Sequence, residues 1–165
     1  MPVRAVVRLP ERVLKLRSEE LRGRSPEDLI ADLIDTMRAS PACVGLASPQ
    51  LGVNRRVIVV DVTNHPKTKT CHGLVCLVDP VVIDSSGREV GREGCMSVPD
   101  LTANVTRAQR VVVQGVDQHG SLRVVATDAF EARALQHEID HLDGLLILDR
   151  VTSPSTDVFR RQTYR

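Results

Sequence analysis

No tryptophan occurs in the 165 residues, and tyrosine and phenylalanine contribute only one and two side chains. A core of stacked rings is therefore excluded, and the buried interior must be valine, leucine, isoleucine and alanine. Long apolar runs are missing too. None approaches the roughly 20 residues that a helix needs to cross a bilayer, so no membrane partner is expected. The first ten residues hold no apolar stretch of the export-signal kind, which predicts a cytoplasmic protein. In that compartment Cys43, Cys71, Cys76 and Cys95 are expected as reduced thiols rather than disulfides, leaving sulfur available to a metal. Nor does either charge dominate: 22 Lys and Arg against 21 Asp and Glu leave a net +1, spread along the chain. This balance argues against DNA as a partner and against bulk charge as the basis of substrate choice. What is present, 42% hydrophobic and 26% charged residues without internal repeats, suits one globular domain over residues 1 to 165.

Local patterns outline the elements. Ser25-Pro26-Glu27-Asp28 reads as a cap, a first-turn proline and two acids, followed by Leu29, Ile30, Leu33, Ile34 and Met37 at helical spacing. A helix over residues 26 to 38 is predicted, stopped before Pro41. Residues 44 to 52 read as loop or irregular strand, 57 to 60 as a short β-branched strand, and 63 to 73 as an exposed loop. Residues 74 to 83 resume strand character, broken or bent at Pro80. Residues 110 to 116 and 122 to 126 form a predicted hairpin across Asp117-Gln118-His119-Gly120. Asp128 with Glu131 resembles a capping box that opens a helix running to Gly144. The tail carries Arg160, Arg161 and Arg165, expected as a solvated end, with contact to ribosomal RNA phosphates as the alternative.

Chemistry concentrates on that second helix. His137-Glu138-Ile139-Asp140-His141 is HExxH, in which imidazoles at i and i+4 share one face and reach one ion while the glutamate stands beside them. A catalytic ion needs a third protein ligand and an open position for water. The longer pattern HExxHxxGxxH fails, because Ile147 stands where its last histidine would be, and Asp149 and Asp157 are weak carboxylate substitutes. Upstream, Glu93-Gly94-Cys95-Met96-Ser97 sets a thiol beside glycine, where backbone can approach an ion closely. A cysteine in that setting is more often a small buried residue than a ligand. A second cluster in CHGLVC, Cys71 to Cys76 with His72, is a weaker candidate, resting on spacing alone.

Three ordered segments turn the balance toward Cys95. Gly45-Leu46-Ala47-Ser48-Pro49-Gln50, Glu93-Gly94-Cys95-Met96-Ser97 and Gln136-His137-Glu138-Ile139-Asp140-His141 together resemble the peptide deformylase family. The resemblance implies an α+β fold in which antiparallel strands pack around the HExxH helix, with the other helix N-terminal to them. It implies Cys95, His137 and His141 as ligands of one divalent ion, and removal of the formyl group from N-formylmethionine of new polypeptides. Glu138 is then the proton shuttle for a hydroxide that attacks the formyl carbon, with Gln50 and the Met96 N–H receiving the oxyanion. Gly45 would pair with the extended peptide, Val44 would line the methionine pocket, and Glu93 would pair with Arg107 to fix the Cys95 loop. The family's usual ion is Fe(II), while a thiolate with two imidazoles also accepts Zn, Ni or Co. Nascent formyl-Met polypeptide is the implied partner, with ribosome association open and the chain a monomer or weak dimer.

Three departures stand out. Cys43 replaces a usual glycine and Ser48 a usual alanine in the first segment, and residues 100 to 102 lack a frequent arginine. These leave two further readings: a hydrolase of the same fold acting on another formyl or acyl amide, and a catalytically weak binding paralogue.

Overall fold

The computed structural model describes residues 3–24 and 26–161. Its elements in chain order are α1 (Glu27–Ala39), β1 (Gly45–Ala47), β2 (Val57–Val60), β3 (Val75–Ser86), β4 (Glu89–Cys95), β5 (Val98–Arg107), β6 (Arg110–Val116), β7 (Leu122–Asp128), α2 (Ala129–Leu142) and β8 (Val158–Arg160). All named strands pair antiparallel, in a five-stranded sheet ordered β1-β2-β3-β6-β7 and a three-stranded sheet ordered β4-β5-β8. The fold is α+β, as the family resemblance implies.

The uninterrupted Val57-Ile58-Val59-Val60 run has a direct cause. Side chains alternate across a strand, and here both faces are buried. Ile58 and Val60 join the cluster under α2, with Leu77, Val113, Leu135 and Ile139. Val57 and Val59 join the cluster under α1, with Leu33, Met37, Leu46 and Cys76. A third cluster, Leu14, Cys95, Val98, Val105, Leu146 and Ile147, lies against the smaller sheet. All three are aliphatic, in keeping with the shortage of rings. Among the described residues no helix is long and apolar enough to cross a membrane.

α1 starts at Glu27 with Pro26 before it, one residue later than predicted, and the Ser25 cap lies outside the described residues. β3 passes through Pro80 by slipping register against β6 between Val78 and Val81, at a left-handed Asp79 with φ +51°. The bulge tolerates the missing N–H of proline, and the Asp79 carboxylate accepts the N–H groups of Leu21 and Arg22. The hairpin forms as expected, with Gly120 at φ +82°. The capping box does not form. Asp128 precedes α2 without a side-chain cap bond, and the fully buried Glu131 carboxylate is taken by the His72 backbone N–H, the His72 ring and Thr127 Oγ1. A long-range contact thus outcompetes the local one. That bond, together with Cys71 packing under α2 and Cys76 under α1, on opposite faces of the sheet, separates the members of the CHGLVC cluster.

The β4–β5 hairpin and β8 carry no clear alternation in sequence. β4 reads Glu-Val-Gly-Arg-Glu-Gly-Cys, and its strand form comes from pairing with β5 rather than from propensity.

Candidate metal centre

α2 and the end of β4 bring the donors together. His137 and His141 fall one turn apart on α2, which packs against β1 and β2. Cys95 ends β4 at the two-residue turn Met96-Ser97, so its side chain is delivered to the same point from the other sheet. Ligand atoms of Cys95, His137 and His141 lie within 4.8 Å of one another, the one such group among the described residues. Cys95 Sγ is 3.3 Å from His141 Nε2. Asp149 is spent elsewhere, pairing with Lys15 and accepting the Leu146 N–H.

The surroundings suit a cation. Burial would raise the Cys95 thiol, but the His141 and His137 imidazoles outweigh it and hold the thiol well below its ordinary range. Burial would lower His137, but the Glu138 charge, Cys95 and Glu93 hold it well above the usual imidazole value. Positive charge is therefore favoured where the three donors meet. One thiolate and two imidazoles form the donor set of a catalytic site with an open fourth position, so the residues fit a divalent ion.

A charged chain orients the donors. Glu93 Oε1 lies 2.8 Å from His137 Nδ1, leaving Nε2 to face the donor group. Arg107 grips Glu93 through Nε and Nη2, at 2.6 and 2.8 Å, so the expected pair is present. Arg133 adds a bond to Glu93 at 2.7 Å, and Arg107 reaches Asp140 at 2.7 Å, which in turn holds Arg150. Burial pushes Glu93 up, but Arg107 and His137 hold its carboxyl far below the ordinary range. Sequence reading missed Arg133, Asp140 and Arg150, although Asp140 sits inside the HExxH segment.

Glu138 lies beside the donors, 4% exposed, with one carboxylate oxygen, Oε1, lacking any hydrogen-bond partner among the described residues. Burial raises its carboxyl above the ordinary value against the opposing His137 and His141 charges. A Cβ on Gly45 would come within 2.8 Å of Glu138 Oε2, so this glycine makes room for the carboxylate. Gln50 is fixed at both ends: Oε1 accepts the Ala47 N–H at 3.0 Å, while Nε2 donates to Ser97 Oγ at 3.2 Å and points at Cys95 Sγ at 3.7 Å. Val44, Gly45, Gln50, Cys95, Met96, His137 and Glu138 all line one cavity of about 170 Å³. That is below the roughly 300–1,000 Å³ typical of whole small-molecule sites and suits one side chain with its end group.

The altered first segment also faces this cavity. Cys43 lines it, its thiol donating to the Gly45 carbonyl at 3.2 Å, and burial pushes that thiol up to about 12. Left-handed backbone falls on Ala42, at φ +56°, rather than on Cys43. Ser48 is buried and donates to the Val57 carbonyl, away from the donors.

Comparison with known proteins agrees with this arrangement. The family model described as polypeptide deformylase matches residues 3–157. The peptide deformylase of Thermodesulfovibrio yellowstonii is 37% identical over 165 residues, covering 98% of this chain and 97% of the relative. That of Pelotomaculum thermopropionicum is 40% identical over 152 residues, covering 91% and 92%. In three dimensions the chain is similar to the peptide deformylase of Ehrlichia chaffeensis solved with actinonin, at TM-score 0.86 and 33% identity, covering 94% of this chain and 92% of that one. It is also similar to the Acinetobacter baumannii enzyme with bound Met-Ala-Ser, at TM-score 0.79 and 32% identity, covering 90% and 98%. A family match along nearly the whole sequence, joined to this donor set, leads to one conclusion: the chain belongs to the polypeptide deformylase family.

Proposed function

We propose that the chain, working as a single domain in the cytoplasm, hydrolyses the formyl group from N-formylmethionine at the start of newly made polypeptides. The observation that carries this reading is Glu138 Oε1, a buried carboxylate oxygen without a hydrogen-bond partner among the described residues, beside Cys95, His137 and His141. A divalent ion held by those three residues, Fe(II) in the cell, would supply Lewis acidity to a water and to the formyl oxygen. Glu138 takes a proton from that water as its oxygen bonds to the formyl carbon. Gln50 Nε2 and the Met96 N–H offer donors where negative charge gathers on the former carbonyl oxygen. Glu138 then returns the proton to the amine nitrogen as the C–N bond breaks, releasing formate and a free methionine amine. Val44 lines the space for the methionine side chain and the Gly45 backbone aligns the peptide. The Met-Ala-Ser in the Acinetobacter structure matches the product of such a step.

Removal of the metal tests this reading. Protein stripped by a chelator is expected to lose turnover of formyl-Met-Ala-Ser and to regain it on anaerobic loading with Fe(II) or Ni(II). Activity should depend strongly on which ion is loaded, and the iron form should fade in air as iron and Cys95 oxidise; equal, air-stable rates with iron and zinc would contradict this. Metal uptake without hydrolysis of any formylmethionyl peptide would sink the assignment and favour another acyl amide as substrate. Ribosome contact through the tail is a separate matter. β8 supplies residues 158 to 160 to the smaller sheet, so Arg160→Ala in a pelleting assay is a cleaner probe than deleting the tail.

A further inference from the structure

Apart from Glu93 and Glu138, every carboxylate or full cation lining the cavity is a cation: Lys67, Arg92, Arg133 and Arg161. Glu93 is engaged by Arg107, Arg133 and His137, and Glu138 sits beside the metal donors. Arg133 is spent on Glu93 and on the Val105 and Glu89 carbonyls, so Lys67, Arg92 and Arg161 are the cations that present positive charge to whatever enters.

Two of these cations are seated by the fold. In the β4-β5-β8 sheet, Arg92 pairs across to Asn104, Gly94 to Thr102, and Thr102 to Phe159, which places these residues and Arg161 on one face. Arg92 stacks 3.6 Å over the Phe159 ring centroid and donates to Asn104 Oδ1 at 3.1 Å. The Arg161 N–H donates to the Asp100 carbonyl at 2.8 Å, carrying its side chain back over β4. There the guanidinium fills the space above Gly94, and a Cβ at that position would collide with Nη2. Lys67 arrives from a different segment, the loop before β3, over the Phe130 ring. Side chains held this way lose little further entropy on meeting a carboxylate, and a planar guanidinium matches that group with two donors.

We infer that this rim selects, among formylmethionyl peptides, those with an acidic side chain in the residues following methionine, with Arg92 and Arg161 determining the preference. The inference rests on the deformylase reading, since the peptide must thread its first residue toward the metal donors and leave the next ones at the mouth.

Peptides of the form formyl-Met-Ala-Asp and formyl-Met-Asp-Ser, with asparagine and lysine counterparts, all blocked as C-terminal amides, isolate the side-chain charge. At low salt the acidic peptides are expected to exceed the lysine ones roughly tenfold in kcat/KM, and the ratio should shrink in molar salt as screening sets in. In the double variant Arg92→Gln/Arg161→Gln the ratio should fall toward one, whereas Arg161→Lys should keep part of it. Because the readout is a ratio within each protein, a general loss of folded enzyme does not imitate it. A wild-type ratio at or below one overturns the inference while leaving deformylation standing. Inhibition by short RNA in that case would assign the cations to phosphates instead. A ratio untouched by the double variant removes the two arginines from the role. No turnover of any peptide overturns the deformylase reading and this inference with it.

Discussion

Replacing Glu138 by alanine is expected to lower kcat by about 10²- to 10⁴-fold, the range for a positioned general acid and base. Metal content measured on the same sample should stay near that of the wild type, because the proposed donor atoms belong to Cys95, His137 and His141. The residue has the attributes the step demands. Its carboxyl is buried and raised above the ordinary value by that burial, one oxygen has no hydrogen-bond partner among the described residues, and the other rests against Gly45. A variant that binds metal and keeps its rate within tenfold would remove Glu138 from proton transfer.

Arg107→Ala should have the largest effect on stability. Arg107 is buried between two carboxylates, and its loss leaves Glu93 held only by Arg133 and His137, with Asp140 held only by Arg150. Breaking a buried pair from one side costs about 3–5 kcal/mol, because the surviving charge stays dehydrated. For a chain of this size that corresponds to a fall in Tm on the order of 10 °C, and urea midpoints should drop without a change in m. Metal affinity should weaken as well, by about 10- to 100-fold, since Glu93 is the group that orients His137. A variant with wild-type Tm would mean that Arg107 is replaceable by water.

Local rules recovered what local geometry determines. The i, i+4 placement of His137 and His141 follows from helix pitch alone, and the short β-branched run at residues 57 to 60 is the strand β2. Gln50 was legible only through family resemblance, and Cys95, a weak candidate on its glycine setting, needed that resemblance to stand out, because each meets its neighbours across about 45 residues of chain, a distance that no periodicity encodes. Arg133, Asp140 and Arg150 escaped for the same reason. Arg133 and Asp140 find their partners only when β4 and β5 fold against α2, and Arg150 joins through Asp140. Glu131 misled because a capping box is a local option, and His72 offers a stronger long-range one. Arg161 looked like part of a loose tail, yet β8 turns it back over Gly94.

Cys95 packs with the cluster against the smaller sheet, whereas α2 packs on the larger one. The donor triangle accordingly straddles a seam between two separately packed units. Apolar contact is non-directional and would let such units slide by fractions of an ångström at little cost. Three of the bonds that cross the seam, Arg107 to Asp140, Arg133 to Glu93 and His137 to Glu93, are instead charged, directional and fixed in length. They work as an alignment key. Substitutions inside either unit can then accumulate without disturbing the spacing of sulfur and nitrogen, so long as the key stays cut to the same pattern.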